Sequence, residues 1–154
     1  MNPKTDVHNI QKLRETTGAG VIECKKALEK SGGDFDQAVK FISEQGLLKS
    51  EKRAGRETGA GLIESYIHNG RIGVLLEIRA ETDFVVNSDP FRALAHELAM
   101  QIAAAAPETP EALLAQPFIK DESKTVEAVV KGVIALVGEN IRVSRFYRLE
   151  IQGL

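Results

Sequence analysis

The sequence predicts an α+β fold, in which a unit of three short helices precedes an antiparallel sheet packed against helices. Three observations carry this. The spacing of apolar residues changes from helical to period two near residue 60. Asn69-Gly70, a strong hairpin signal, stands between two alternating segments. The second part then reads strand, strand, helix, helix, strand, an order that places helices on one face of the sheet. Charge follows the same division: residues 1–60 carry 11 Lys/Arg against 9 Asp/Glu, and residues 61–154 carry 9 against 13. The expected organisation is therefore a helical unit with its linker over 1–54 and an α+β core over 55–154.

Val7, Ile10 and Leu13 form the first apolar stripe, stopped by Thr17-Gly18-Ala19-Gly20, since glycine readily takes helix-ending angles. Val21, Cys24 and Leu28 form the second, with Lys25 and Lys26 toward solvent, broken by Ser31-Gly32-Gly33. Asp34 is a good N-cap for a third helix carrying Phe35, Ala38, Val39 and Ile42. Gly46 is read as its end, and residues 47–57 as a charged linker with some helical character. Leu62 to His68 is the first strand. From Arg71 to Glu81, Ile72, Val74, Leu76, Ile78 and Ala80 alternate with a second set to give a half-buried strand. After Thr82-Asp83-Phe84-Val85 a helix begins, with Asp89 as its expected N-cap and Pro90 as its first residue. It places Phe91, Leu94, Ala95, Leu98, Ile102 and Ala105 on one face and stops at Pro107 and Pro110. Beyond the QPF segment at 116–118, residues 126–137 form an amphipathic helix closed by Gly138. Ile141, Val143, Tyr147, Leu149 and Ile151 mark a last strand. TGAGVIE at 17–23 returns as TGAGLIE at 58–64, but one copy precedes a helix and the other a strand, so shared turn chemistry accounts for the echo better than a repeat architecture.

Composition narrows the function. In 154 residues, 43% hydrophobic and 27% charged content is that of a soluble globular chain. The most apolar stretch, Leu98–Ala106, is broken by Gln101 and falls far short of the ~20 residues a membrane helix needs. A net charge of −2 and 5% aromatics argue against a nucleic-acid binder. The lone Cys24 excludes a disulfide scaffold or a cysteine zinc site and reads as a buried structural thiol. The segment MNPKTDVHNIQKL lacks the apolar core of a signal peptide, so a cytoplasmic location is expected.

No catalytic, metal or cofactor set emerges. Neither Gly-rich loop continues as a phosphate-binding fingerprint. His8, His68 and His96 lack metal-ligand spacing and read as surface or half-buried residues. Glu77 and Glu81 fall on the solvent side of a strand. The exception is Thr82-Asp83-Phe84-Val85. Held between a strand and a capped helix, its acid and aromatic can act on a partner; the competing reading puts Phe84 in the protein's own core and Asp83 at a turn.

Three stretches together resemble the bacterial elongation factor Ts family. KLRETTGAGVIECKKALEKSGGDFDQAVKFISEQG is similar to its ubiquitin-associated-like three-helix domain. NGRIGVLLEIRAETDFVVNSDPFRALAHELAMQIA is similar to its core, with the TDFV motif. QPFIKDESKTVEAVVKGVIALVGENIRVSRFYRLEI is similar to the closing helix and strand, with Gly138-Glu139-Asn140-Ile141. The likeness runs in order over residues 7–152. It implies guanine nucleotide exchange on elongation factor Tu, in its GDP-bound and nucleotide-free states, without catalysis, cofactor or metal of the chain's own. By this resemblance Val21 and Ile22 dock on the GTPase domain. Thr82, Asp83, Phe84 and Val85 insert near its Mg²⁺, and Gly138, Glu139 and Asn140 share in the docking and support the insertion. Residues 107–115 are shorter than the matching region of the family, which implies a homodimer that rebuilds the missing half. The alternatives from the residues alone are a peptide- or protein-binding adaptor and a hydrolase with a polar pocket around Glu77, Glu81 and His68.

Overall fold

The computed structural model describes residues 6–152, whose elements follow the α+β expectation in order. The first three helices are α1 (Val7–Thr17), α2 (Val21–Lys30) and α3 (Phe35–Arg53). Gly18, at φ +70°, supplies the left-handed residue that closes α1, its N–H donating to the Arg14 carbonyl. The Asp34 carboxylate caps α3 by accepting from the Gln37 N–H at 2.9 Å. Leu13, Cys24, Ala27, Leu28 and Ala38 are buried between these helices, with Phe35, Val39 and Ile42 packed around them.

The helical unit departs from expectation at Gly46. There α3 does not stop but runs on to Arg53, so most of the expected linker is helix. The glycine serves a helix crossing rather than a helix end. A Cβ built on it would lie 3.2 Å from Ala135 Cβ, closer than side chains normally approach. A side chain here would push the two helices apart by a few tenths of an ångström. The Glu23 carboxylate on α2 pairs with Lys49 on this added length of α3, which holds the Glu23 carboxyl below its usual range.

The core contains β1 (Ala60–His68), β2 (Ile72–Ala80), α4 (Asp83–Val86), α5 (Asp89–Ala105), α6 (Pro110–Ala115), β3 (Pro117–Phe118), β4 (Asp121–Thr125), α7 (Val126–Val137) and β5 (Ile141–Glu150). One antiparallel sheet has the order β1-β2-β5. Asn69 (φ 51°) and Gly70 (φ 65°) take the two positive angles that a tight hairpin requires. Val74, Leu76, Ile78 and Ala80 point from β2 into a core filled by Phe91, Leu94, Ala95, Leu98 and Ile102 of α5 and Val126, Val130 and Ile134 of α7.

Several local details differ from the sequence reading. Ser88, not Asp89, is the N-cap of α5, and Asp89 lies in the first turn, where its charge suits the helix dipole. Ala105, the last residue of α5, is exposed. Residues 110–115 form a short helix capped by Thr109, and a small hairpin, β3–β4, precedes α7. Gln101 anchors that hairpin. Fully buried, it donates to the Gln116 side chain and the Pro117 carbonyl, both at 3.1 Å, and accepts from the Ile119 N–H at 2.9 Å.

The last strand does not keep one alternation. Glu77 pairs with Arg145 but Ile78 with Val143, so Ser144 is an extra residue in a β-bulge. Before it Ile141 and Val143 face the core. After it Phe146 packs against the core, while Tyr147 and Leu149 face outward. With Ile63, Ile67 and Leu75 they make the open face of the sheet apolar toward the hairpin end.

Candidate functional site

Thr82-Asp83-Phe84-Val85 is not a bare turn. Its last three residues begin α4, for which Thr82 is the N-cap. Val85 and Val86 are buried in the core, each 4% exposed, whereas Phe84 is 87% exposed. With the two residues after it anchored in the core, the aromatic that precedes them on this short helix points outward. This excludes the reading of Phe84 as a plug in the protein's own core. Asp83 and Thr82 are exposed beside it. Val85 is a foot of the turn and not part of its outer surface.

Both ends of α4 are held. Glu139, in the loop after α7, accepts from the Thr82 N–H at 3.0 Å and from its hydroxyl at 2.6 Å. Charge-assisted bonds of this kind are shorter and stronger than neutral ones. At the other end, the Asn87 side chain donates to the Asp83 carbonyl at 2.9 Å and the Ser88 hydroxyl to the Val85 carbonyl at 2.6 Å. Arg92 in turn donates to Asn87 at 2.8 Å. Gly138, at φ +77°, lets the chain leave α7 so that Glu139 can reach Thr82.

Asn140 follows and is buried. Its amide donates to the carbonyls of Ala54 (3.3 Å) and Arg56 (2.9 Å), just after α3. Its backbone N–H donates to Glu81 Oε1 at 2.7 Å, and Arg56 lies 3.6 Å from the same oxygen. Sequence reasoning placed Glu81 on a solvated face, but it is drawn into this junction. Glu77 is likewise covered, bonded to Arg145 Nε at 2.6 Å and Arg79 Nε at 2.7 Å. Arg145, and then Arg79, hold the Glu77 carboxyl below its ordinary range. His68 and His96, distant in sequence, flank Tyr66: its hydroxyl lies 3.0 Å from His68 Nδ1, and the His96 ring sits edge-on to it. His96 Nδ1 is 3.2 Å from Glu64. Glu77, Glu81 and His68 thus each have a partner of their own. Among the described residues no group of three or more His, Cys, Asp or Glu is placed to hold a metal ion, and no helix is long and apolar enough to cross a membrane.

The second expected contact lies on the helical unit. Val21 and Ile22 open α2 and are 51% and 70% exposed. Val21 borders a shallow groove with Val7, Ile10 and Arg14 of α1. Cys24, one turn on, is fully buried, and desolvation pushes its thiol up from the usual value.

Fold and site together define a class: an α+β protein whose distinctive groups are apolar side chains presented outward on firmly held turns and helix ends. Comparison with known proteins gives the family. The family model described as "Elongation factor TS" matches residues 8–109 and 81–154. The chain is 42% identical to "Elongation factor Ts" of Desulforamulus reducens, over 94% of this chain and 88% of that protein. It is 40% identical to the protein of that name from Coprothermobacter proteolyticus (90% and 94% covered) and 41% to that from Thermotoga petrophila (92% and 94%). The chain belongs to the elongation factor Ts family. The first of these alignments spans 192 positions against the 154 residues of this chain, so at least 38 positions there have no counterpart here.

Proposed function

We propose that the chain is a guanine nucleotide exchange factor for elongation factor Tu in translation elongation, acting by contact and not by catalysis. The observation that carries the reading is Phe84, a large ring kept in water on a turn held at both ends. Val21 and Ile22 dock the helical unit, of ubiquitin-associated type, on the GTPase domain. Asp83 and Phe84 enter beside its Mg²⁺, with Thr82 and Val85 as their mounting and the Gly138-Glu139-Asn140 loop as support.

Linkage then does the work. A factor that binds the nucleotide-free GTPase more tightly than the GDP form weakens GDP binding by the same ratio. Each decade requires about 1.4 kcal/mol of differential contact. Enclosing one Phe ring is worth ~1.5–3 kcal/mol, so the wedge alone accounts for one to two decades. The assay is stopped-flow release of a fluorescent GDP analogue from elongation factor Tu. The reading requires acceleration by catalytic amounts of the chain, whereas an adaptor that binds without exchange leaves the rate unchanged.

The division into units 1–54 and 55–154 and a cytoplasmic location belong to the same reading, as does a homodimer. The outward-facing Ile63, Ile67, Leu75, Tyr147 and Leu149 lie on one open sheet face, and relatives carry residues that this chain lacks. A second copy packed on that face removes the apolar surface from water and sets two wedges on one particle.

A further inference from the structure

We infer that Asn140 is a positioning residue: it brackets the helical unit to the core so that Val21-Ile22 and Phe84 meet their partner as one rigid body. The inference rests on the exchange reading for its purpose and on internal geometry for its existence.

The geometry joins three segments far apart in sequence. The Asn140 side-chain amide closes on the exit from α3 through two carbonyls two residues apart, those of Ala54 and Arg56. Its backbone N–H holds Glu81, the residue before Thr82. Glu139, one residue earlier, holds Thr82 itself. The end of the helical unit and the start of the wedge are therefore fastened to neighbouring residues of one loop. A second contact lies about two turns back along α3, where Gly46 crosses α7 at Ala135. Gly18, at the end of α1, lies against Leu136 on the same stretch of α7. Two separated attachments along α3 fix an angle, which a single hinge point does not.

Rigidity matters because the two contact surfaces lie on different units. Joined flexibly, the second contact must be found by a tethered search; joined rigidly, it is in place when the first forms. Asn140 does this without touching the partner. Its amide has two donor hydrogens, and both accepting carbonyls belong to this chain.

Two measurements test this. In limited tryptic digestion of the free full-length chain, Asn140→Ala and the isosteric Asn140→Asp should each speed cleavage after Arg53 and Arg56 about tenfold, as expected for loss of two ordinary hydrogen bonds. In exchange assays both variants should raise KM for the GDP-bound GTPase about tenfold and change kcat less than twofold. The decisive arm is a cross-link. Gly46→Cys with Ala135→Cys sets two Cβ atoms 3.2 Å apart, a few tenths of an ångström inside disulfide separation, so α3 and α7 ease apart by that much and the reduced form of each double-cysteine chain is its reference. Oxidised, this pair should keep exchange within twofold of the reduced double-cysteine chain and, with Asn140→Ala added, should lower KM about tenfold from the reduced value, reversibly with dithiothreitol. Loss of exchange on cross-linking would show that the units must separate to work and would overturn the proposal. So would unchanged digestion and unchanged KM in both Asn140 variants. If the unaltered chain does not accelerate GDP release at all, the exchange reading fails, while digestion still decides whether the bracket exists.

Discussion

Phe84→Ala separates a contact residue from a core residue by moving one observable and sparing another. Filling its own core, the ring would cost ~3–5 kcal/mol on truncation. For a chain of this length that is about 6–20 °C in Tm, at roughly 2–4 °C per kcal/mol. The ring is instead 87% exposed, while Val85 and Val86 anchor the turn without it. Truncation should therefore leave Tm within about 1 °C and the far-ultraviolet circular dichroism spectrum unaltered. On the partner the balance reverses. Enclosing a Phe side chain is worth ~1.5–3 kcal/mol, and the exposed fraction keeps about 1.3–2.6 kcal/mol of it available to an interface. If that contact forms only as nucleotide leaves, its loss lowers kcat by roughly 8- to 70-fold with little change in KM. Stopped-flow GDP release at several factor concentrations reads both parameters, and differential scanning calorimetry reads Tm. A fall in Tm of 6 °C or more, or an unchanged kcat, would refute the reasoning.

Three further outcomes are expected. Gly138→Ala adds a Cβ that meets nothing within 4 Å, so its effect is backbone strain alone at φ +77°; about 1–2 kcal/mol should lower Tm by roughly 2–8 °C, and Gly138→Asn should lower it less. Because Arg145 and Arg79 depress the Glu77 carboxyl in the folded protein, its ion pairs contribute fully above the ordinary carboxylate value of about 4.3 and are lost as pH falls below it. Tm measured between about pH 5 and 3 should then fall more steeply for the unaltered chain than for Glu77→Gln. Sedimentation equilibrium at micromolar concentration should give a dimer, and Leu75→Lys, at the centre of the apolar sheet face, should give a monomer of unchanged circular dichroism; a monomer in the unaltered chain excludes the pairing.

The pattern of the core was legible because one physical effect dominates it. Alternation in β2, the Asn69-Gly70 turn and the stripes of α5 and α7 all follow from placing apolar groups on one side of an element. What escaped was set by tertiary contact. Gly46 reads locally as a stop, and only the nearness of Ala135 shows why a helix keeps it. Ser144 reads as one more strand residue, and only pairing with β2 reveals the bulge. The site divides similarly. Phe84 stood out as either a contact or a core residue, and its exposure follows from Val85 and Val86 being buried just after it. Asn140 stood out by resemblance, yet its amide points to carbonyls some 85 positions earlier in the chain, a distance that spacing rules do not reach.

The bulge at Ser144 carries a consequence for the whole particle. A strand with strict alternation gives one side of itself to oil and the other to water along its entire run. By skipping a beat, β5 seats Ile141 and Val143 indoors and then turns Tyr147 and Leu149 out, so that a single ten-residue ribbon has two clients in succession. Were Ser144 instead paired regularly opposite Glu77, Tyr147 and Leu149 would swing inward and Phe146 and Arg148 outward, breaking the bonds that Arg148 donates to the Ala103 carbonyl of α5. The bulge at Ser144 thus sets which side Tyr147 and Leu149 take, and so joins them to Ile63, Ile67 and Leu75, which regular alternation already turns outward from β1 and β2.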